Sequence, residues 1–132
     1  ETARSILGGL KNVHLIDPLN MVEMHNLMRR SSFIMTDSGG LQEEGPAMNK
    51  PVVVLRNVTE RPEGLSAGTL VLAGTDENRI FNVASELITN AQLYNLMAYA
   101  KNPYGEGCAS ERILNGILHY FGLESERPID FE

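Results

Sequence analysis

Residues 33–55 read F-I-M-T-D-S-G-G-L-Q-E-E-G-P-A-M-N-K-P-V-V-V-L. Two short apolar runs enclose a glycine-opened stretch of helix-competent residues, and that pattern decides the fold. Phe33–Thr36 is apolar enough throughout to predict a strand buried on both faces, as the strands of a parallel sheet are. Asp37–Gly40 predicts a turn and Leu41–Met48 a helix, which Asn49-Lys50-Pro51 stops. Val52–Leu55, all β-branched or aliphatic, is the next strand.

The same alternation continues on both sides. Upstream, Val13–Ile16 predicts a strand closed by Asp17-Pro18, and Met21, Met24, Leu27 and Met28 recur at helical spacing, so Leu19–Arg30 predicts a helix with a methionine-rich core stripe. Downstream, a polar connection through Asn57–Glu63 leads into a short helical turn, and Gly68–Ala73 predicts a fourth strand ending at Gly74-Thr75-Asp76. Thr75 with Asn78 resembles a weak helix start, followed by an apolar face of Ile80, Val83, Ala84, Leu87 and Ile88. Leu93, Leu96 and Met97 mark another helix, Asn102–Gly107 breaks it, and Cys108–Phe121 predicts a closing helix with Ile113, Leu114, Ile117, Leu118 and Phe121 on one face. Strands alternating with helices predict an α/β domain over residues 1–132, a doubly wound parallel sheet with helices on both faces. In such sheets a ligand sits beyond the carboxyl ends of the strands, where the strand order reverses. The turns at Asp37–Gly40 and Asn57–Glu63 both follow strands and therefore project to that side.

Bulk properties narrow the function. The 132 residues are 42% apolar and 21% charged, the balance of a globular chain. No apolar run approaches the length of a bilayer span, and the first ten residues lack a basic stretch followed by an apolar one. Cys108 is the one cysteine, so no internal disulfide is expected and a reducing cytoplasm fits best. In such a compartment the Asn57-Val58-Thr59 sequon is incidental. A net charge of −6 argues against nucleic acid or an anionic membrane as partner, but not against a small anion held in a locally positive pocket. The chain opens on Glu1 rather than Met, and its first predicted strand is entered from something upstream; a piece of a longer or processed chain is expected.

The chemistry concentrates in Thr36–Pro46. Gly39 and Gly40, directly after a strand, let the backbone turn tightly and open a helix whose first N–H groups are unpaired and whose dipole favours an anion. Ser38 adds a hydroxyl, and the set suits a diphosphate. Glu44, one helical turn beyond Gly40, suits the paired hydroxyls of a ribose as a two-point acceptor. By itself the segment fits an ordinary strand-to-helix turn equally well, with Glu43 and Glu44 complementing the dipole. In the second segment, N-V-T-E-R-P-E at Asn57–Glu63, Arg61 offers a planar fork to a phosphate and Pro62 starts a short helix. The plainer reading pairs Arg61 with Glu60 or Glu63 on the surface. His14, His25 and His119 show no metal or triad spacing, and structural or solvent roles are expected of them. Neither a Walker lysine nor G-x-G-x-x-G is present, which argues against P-loop and nicotinamide sites.

Together T-D-S-G-G-L-Q-E-E-G-P at Thr36–Pro46, K-P-V-V-V-L-R at Lys50–Arg56, T-E-R-P-E-G at Thr59–Gly64, A-G-T at Ala67–Thr69, G-T-D at Gly74–Asp76 and N-P-Y-G-E-G at Asn102–Gly107 resemble the non-hydrolysing UDP-N-acetylglucosamine 2-epimerases of bacteria. The resemblance implies a Rossmann-like domain, the C-terminal half of a GT-B-type fold. The implied activity interconverts UDP-N-acetylglucosamine and UDP-N-acetylmannosamine by elimination and re-addition of UDP, without metal or nicotinamide cofactor, in cell-surface polysaccharide biosynthesis. It further implies UDP binding by Ser38, Gly39, Gly40, Glu44 and Arg61, with Leu19 and Met24 bordering the uracil. Where many relatives carry aromatic residues after Asp17-Pro18-Leu19, Met21 and Met24 stand here. The family's proton-transfer carboxylates and histidine are expected upstream of Glu1, so no catalytic residue is assigned within these 132 residues and the chain alone is expected to be inactive. The implied partners are UDP and a UDP-N-acetylhexosamine, the N-terminal domain of the same enzyme, and a second copy in a homodimer, with no nucleic acid or membrane. The alternatives are the donor-binding domain of a GT-B glycosyltransferase and a stand-alone UDP-binding module.

Overall fold

A computed structural model describes residues 2–123 and 126–129; the outermost positions of the predicted 1–132 domain lie outside them. The elements run α1 (Thr2–Leu7), α2 (Met21–Arg30), β1 (Ile34–Thr36), α3 (Gly39–Ala47), β2 (Val52–Val54), α4 (Pro62–Ala67), β3 (Leu70–Leu72), α5 (Glu77–Thr89), α6 (Ala91–Ala98) and α7 (Ala109–Tyr120). The sheet is parallel, in the order β1-β2-β3, with Thr36, Val54 and Leu72 in register at its carboxyl edge.

Alternation along β2 builds two cores. Val52 and Val54 face one side, where they pack with Met28, Ile34 and Leu70 and with Met24, Leu41, Met48 and Leu65 from α2, α3 and α4. Val53 faces the other side, with Ala73 and with Leu87 and Met97 from α5 and α6. Helices therefore cover both faces, as the pattern predicts, and β2 is buried throughout. Its three valines have no solvent-facing option, which is why the run carries no polar residue.

Local chemistry sets the helix boundaries. Helix α2 begins at Met21 rather than at Leu19, because Asn20 and Glu23 form a reciprocal capping box: each side chain meets the other residue's backbone N–H. Asp76, not Thr75, caps α5, its carboxylate accepting the Arg79 N–H at 2.9 Å. An aspartate placed directly before the helix is the stronger acceptor for that N–H. Gly68, at φ 80°, ends α4 in the left-handed conformation, so β3 begins two residues later than Gly68–Ala73 suggests. Tyr94 Oη donates to the Ser32 carbonyl at 2.9 Å and ties α6 to the chain entering β1.

Three expectations fail. Val13–Ile16 forms no strand: the Val13 N–H closes a turn onto Leu10, and Val13, Leu15 and Ile16 are exposed. The described strands consequently run in one direction without a reversal of order. An apolar run meets the strand pattern, but a ladder also needs a free edge to pair with, which periodicity does not report. β1 is not buried on both faces, since Met35 is 40% exposed; an edge strand needs cover on one side only. The methionine stripe divides, with Met28 buried and Met24 packed on the core while Met21 and Leu27 are exposed. The closing helix forms as expected, as α7, with Ile113, Leu114, Ile117 and Phe121 exposed. Among the described residues no helix is long and apolar enough to cross a membrane.

Candidate functional site

The loops beyond the carboxyl ends of β1 and β2 meet over the start of α3. Thr36 ends β1 with its hydroxyl accepting the Ser38 N–H at 3.0 Å, which folds the chain back so that Ser38 becomes the N-cap of α3. The Ser38 hydroxyl makes no capping bond. The Gln42 N–H is the first to find a helical partner, Ser38 O at 3.3 Å, leaving the N–H groups of Gly39, Gly40 and Leu41 without one among the described residues. These three donors at the positive end of a nine-residue helix form the anion-favouring feature.

Arg61 arrives from the β2 side as the residue preceding α4, with Pro62 in the first turn where its missing N–H costs nothing. Its backbone N–H donates to Thr59 Oγ1 at 3.0 Å, and Thr59 Oγ1 in turn donates to the buried amide oxygen of Gln42 at 2.5 Å. Arg61 Nε donates to Glu43 Oε1, and Nη1 to the Glu60 carbonyl at 3.1 Å. The surface pairing with the Glu60 or Glu63 carboxylates is thus not formed; the partner is on α3. Nη2, without a hydrogen-bond partner among the described residues, lies 3.9 Å from where a Cβ on Gly39 would stand. The hydrogen bond and charge of Glu43 hold the guanidinium pKa above its ordinary value, so the group is a permanent cation. Two of its nitrogens fix the fork and the third lies by the Gly39 turn.

Glu44 points along α3 back towards the turn, its Oε1 3.6 Å from where a Cβ on Gly40 would stand. Its other oxygen meets His25 Nε2 of α2 at 3.0 Å, both side chains being half-buried. Gln42, Glu43 and Glu44, three consecutive residues, therefore reach Thr59, Arg61 and His25 in turn and bind three segments together. The structure brings together the turn, Glu44 and Arg61, which sequence reasoning singled out, with Gln42, Glu43 and His25, which it did not. A signal for His25 existed: it stands between Met24 and Met28, both turned to the core, so its ring flanks the buried stripe and faces the next element. Leu19, just before the Asn20 cap, is half-buried, and Met24 packs against the core one residue from His25.

Tyr104 closes the far side. Its OH is buried against the backbone of Gly64, where any side chain would collide with it, and burial pushes the phenol pKa up. Asn102 staples this turn, accepting from the Tyr104 N–H at 3.1 Å and donating to Gly105 O at 2.9 Å. The arrangement can hold an anion between helix N–H groups and a guanidinium, with a fixed carboxylate beside it for hydroxyls. Among the described residues no group of three His, Cys, Asp or Glu side chains is placed to hold a metal ion.

The chain is similar to known proteins in sequence and in fold. The profile of the family described as UDP-N-acetylglucosamine 2-epimerase matches residues 1–118. The UDP-N-acetylglucosamine 2-epimerase of Bacillus subtilis is 50% identical over 131 residues, covering 99% of this chain and 34% of that protein. The structure of MnaA from S. aureus with UDP superposes with a TM-score of 0.90 at 53% identity, over 98% of this chain and 36% of that one. The Neisseria meningitidis UDP-GlcNAc 2-epimerase bound to UDP-GlcNAc gives a TM-score of 0.83 at 43% identity, over 89% of this chain and 32% of that one. The chain thus spans about a third of the length of the relatives it matches. With the family profile matching residues 1–118 and structures superposing at TM-scores of 0.83 and 0.90, the chain belongs to the UDP-N-acetylglucosamine 2-epimerase family.

Proposed function

We propose that the Ser38–Glu44 turn and Arg61 bind UDP, and that the full-length protein interconverts UDP-N-acetylglucosamine and UDP-N-acetylmannosamine. The observation that carries this reading is the meeting of three unpaired N–H groups, at Gly39, Gly40 and Leu41, with the one Arg61 nitrogen left without a partner. In this reading Ser38, Gly39, Gly40 and Arg61 take the diphosphate, Glu44 the ribose hydroxyls, and Leu19 and Met24 the border of the uracil. Two relatives were solved with UDP or UDP-GlcNAc, which supports the same ligand class here.

Elimination of UDP breaks the bond between the sugar C1 and the phosphate oxygen, and the departing diphosphate gains negative charge. Donors already fixed around that oxygen are worth more as the charge grows, so they stabilise the transition state beyond the ground state. The same contacts retain UDP after the C2 proton and the C1–oxygen bond are lost, until UDP re-adds at C1 and a proton is returned to the opposite face of C2. The proton transfers at C2 belong to carboxylates and a histidine in the remaining two-thirds of the protein, so these 132 residues supply binding and leaving-group stabilisation. Work in the cytoplasm as a homodimer, supplying cell-surface polysaccharide synthesis, completes the reading.

The test is incubation of the full-length protein with UDP-N-acetylglucosamine and no sugar acceptor. Formation of the N-acetylmannosamine epimer, followed by NMR, is the expected result. Turnover appearing only when an acceptor is added would instead mark a glycosyltransferase, and UDP binding without any turnover a binding module.

A further inference from the structure

We propose that His25 is a positioning residue, whose Nε2–H holds the Glu44 carboxylate in the orientation that receives the 2′- and 3′-hydroxyls of the ribose. This rests on the preceding assignment of Glu44 to the ribose. A glutamate side chain has three rotatable bonds, and a ligand that had to freeze them on arrival would bind more weakly for it. Here the freezing is done beforehand. His25 Nε2 lies 3.0 Å from Glu44 Oε2, and its ring rides on a helix fixed by the Asn20–Glu23 capping box and by Met24 and Met28 in the core.

The bond takes one carboxylate oxygen and leaves the other directed to the turn. Glu44 Oε1, which has no hydrogen-bond partner among the described residues, is 3.6 Å from where a Cβ on Gly40 would stand, and the missing side chain keeps that approach open. An ionised carboxylate only accepts, so the hydrogen must come from His25, and both the Nε2–H tautomer and the imidazolium supply it. Oε2 also keeps a second lone pair, so the pair of hydroxyls finds two acceptor oxygens in fixed positions. Among the described residues the His25 ring forms no ion pair besides the one with Glu44.

The test compares UDP with 2′,3′-dideoxy-UDP by calorimetry on the full-length protein and its His25→Ala, His25→Gln and Glu44→Ala variants. Wild type should prefer UDP, and Glu44→Ala should abolish the preference. His25→Ala should weaken UDP by about tenfold while changing dideoxy-UDP by less than about twofold. His25→Gln, whose amide nitrogen reaches a similar distance, should restore most of the loss, and in the epimerase assay His25→Ala should raise KM more than it lowers kcat. Equal losses for both ligands would make His25 merely structural and overturn the proposal, as would an undiminished preference for UDP. If Glu44→Ala keeps the preference, the ribose assignment itself falls and this proposal with it. If only the His25 variants keep it, this proposal falls alone.

Discussion

Arg61→Ala in the full-length protein is expected to weaken UDP by roughly a hundredfold while changing uridine by less than about twofold. The asymmetry follows from where the fork points. Nε and Nη1 are spent on Glu43 and the Glu60 carbonyl, and Nη2 lies by the Gly39 turn, where the proposed reading puts the diphosphate rather than the nucleoside. Arg61→Lys should recover little of this. An ammonium on a flexible stem cannot engage Glu43, a carbonyl and a phosphate oxygen along three fixed directions. Turnover should fall at least as far as UDP affinity, because the contact strengthens as the leaving group acquires charge. Calorimetry with UDP and uridine checks the first statement and steady-state kinetics the second; equal losses for the two ligands would remove Arg61 from the phosphates.

Gly45→Ala is expected to destabilise the protein by about 2 kcal/mol and to weaken UDP although residue 45 touches no ligand. Helix α3 lies so close to the sheet that a Cβ at Gly45 would collide with Val52 Cγ2 and come within 3.2 Å of Ile34 Cδ1. Val52 is fully buried in β2, so the strand has no room to yield and the helix must lift. Its N-terminus carries the three unpaired N–H groups and its next turn carries Glu43 and Glu44, so lifting it disturbs the cradle, the Arg61 support and the ribose acceptor together. Gly68→Ala is the control: a Cβ there meets nothing, and the cost arises only from the φ of 80°. Chemical denaturation together with UDP titration distinguishes the two, the control losing stability with little loss of affinity per molecule folded.

These effects also mark how far the sequence alone can be read. The strand–turn–helix around Ser38 was legible because its signals are local: a glycine pair, an all-apolar strand, a proline stop. The same holds for the start of α4 at Pro62. Long-range pairings were not legible. Glu43 meets Arg61 18 residues on and Glu44 meets His25 19 residues back, and neither spacing carries a periodic signal. Without them the turn reads equally well as structural or functional, and it was the joined motifs that separated the two readings. Val13–Ile16 shows the reverse case, an apolar pattern that periodicity assigns to a strand and that the fold leaves exposed, as it does the apolar face of α7. Hydrophobic patterning states that a face is to be covered, not which part of the protein covers it.

The most direct test of the UDP assignment is a crystal structure of the full-length protein with UDP. The account predicts diphosphate oxygens within about 3 Å of the Gly39 to Leu41 N–H groups and of Arg61 Nη2, with the ribose hydroxyls on Glu44. A diphosphate bound elsewhere, with those N–H groups and Nη2 still unpaired, would contradict it.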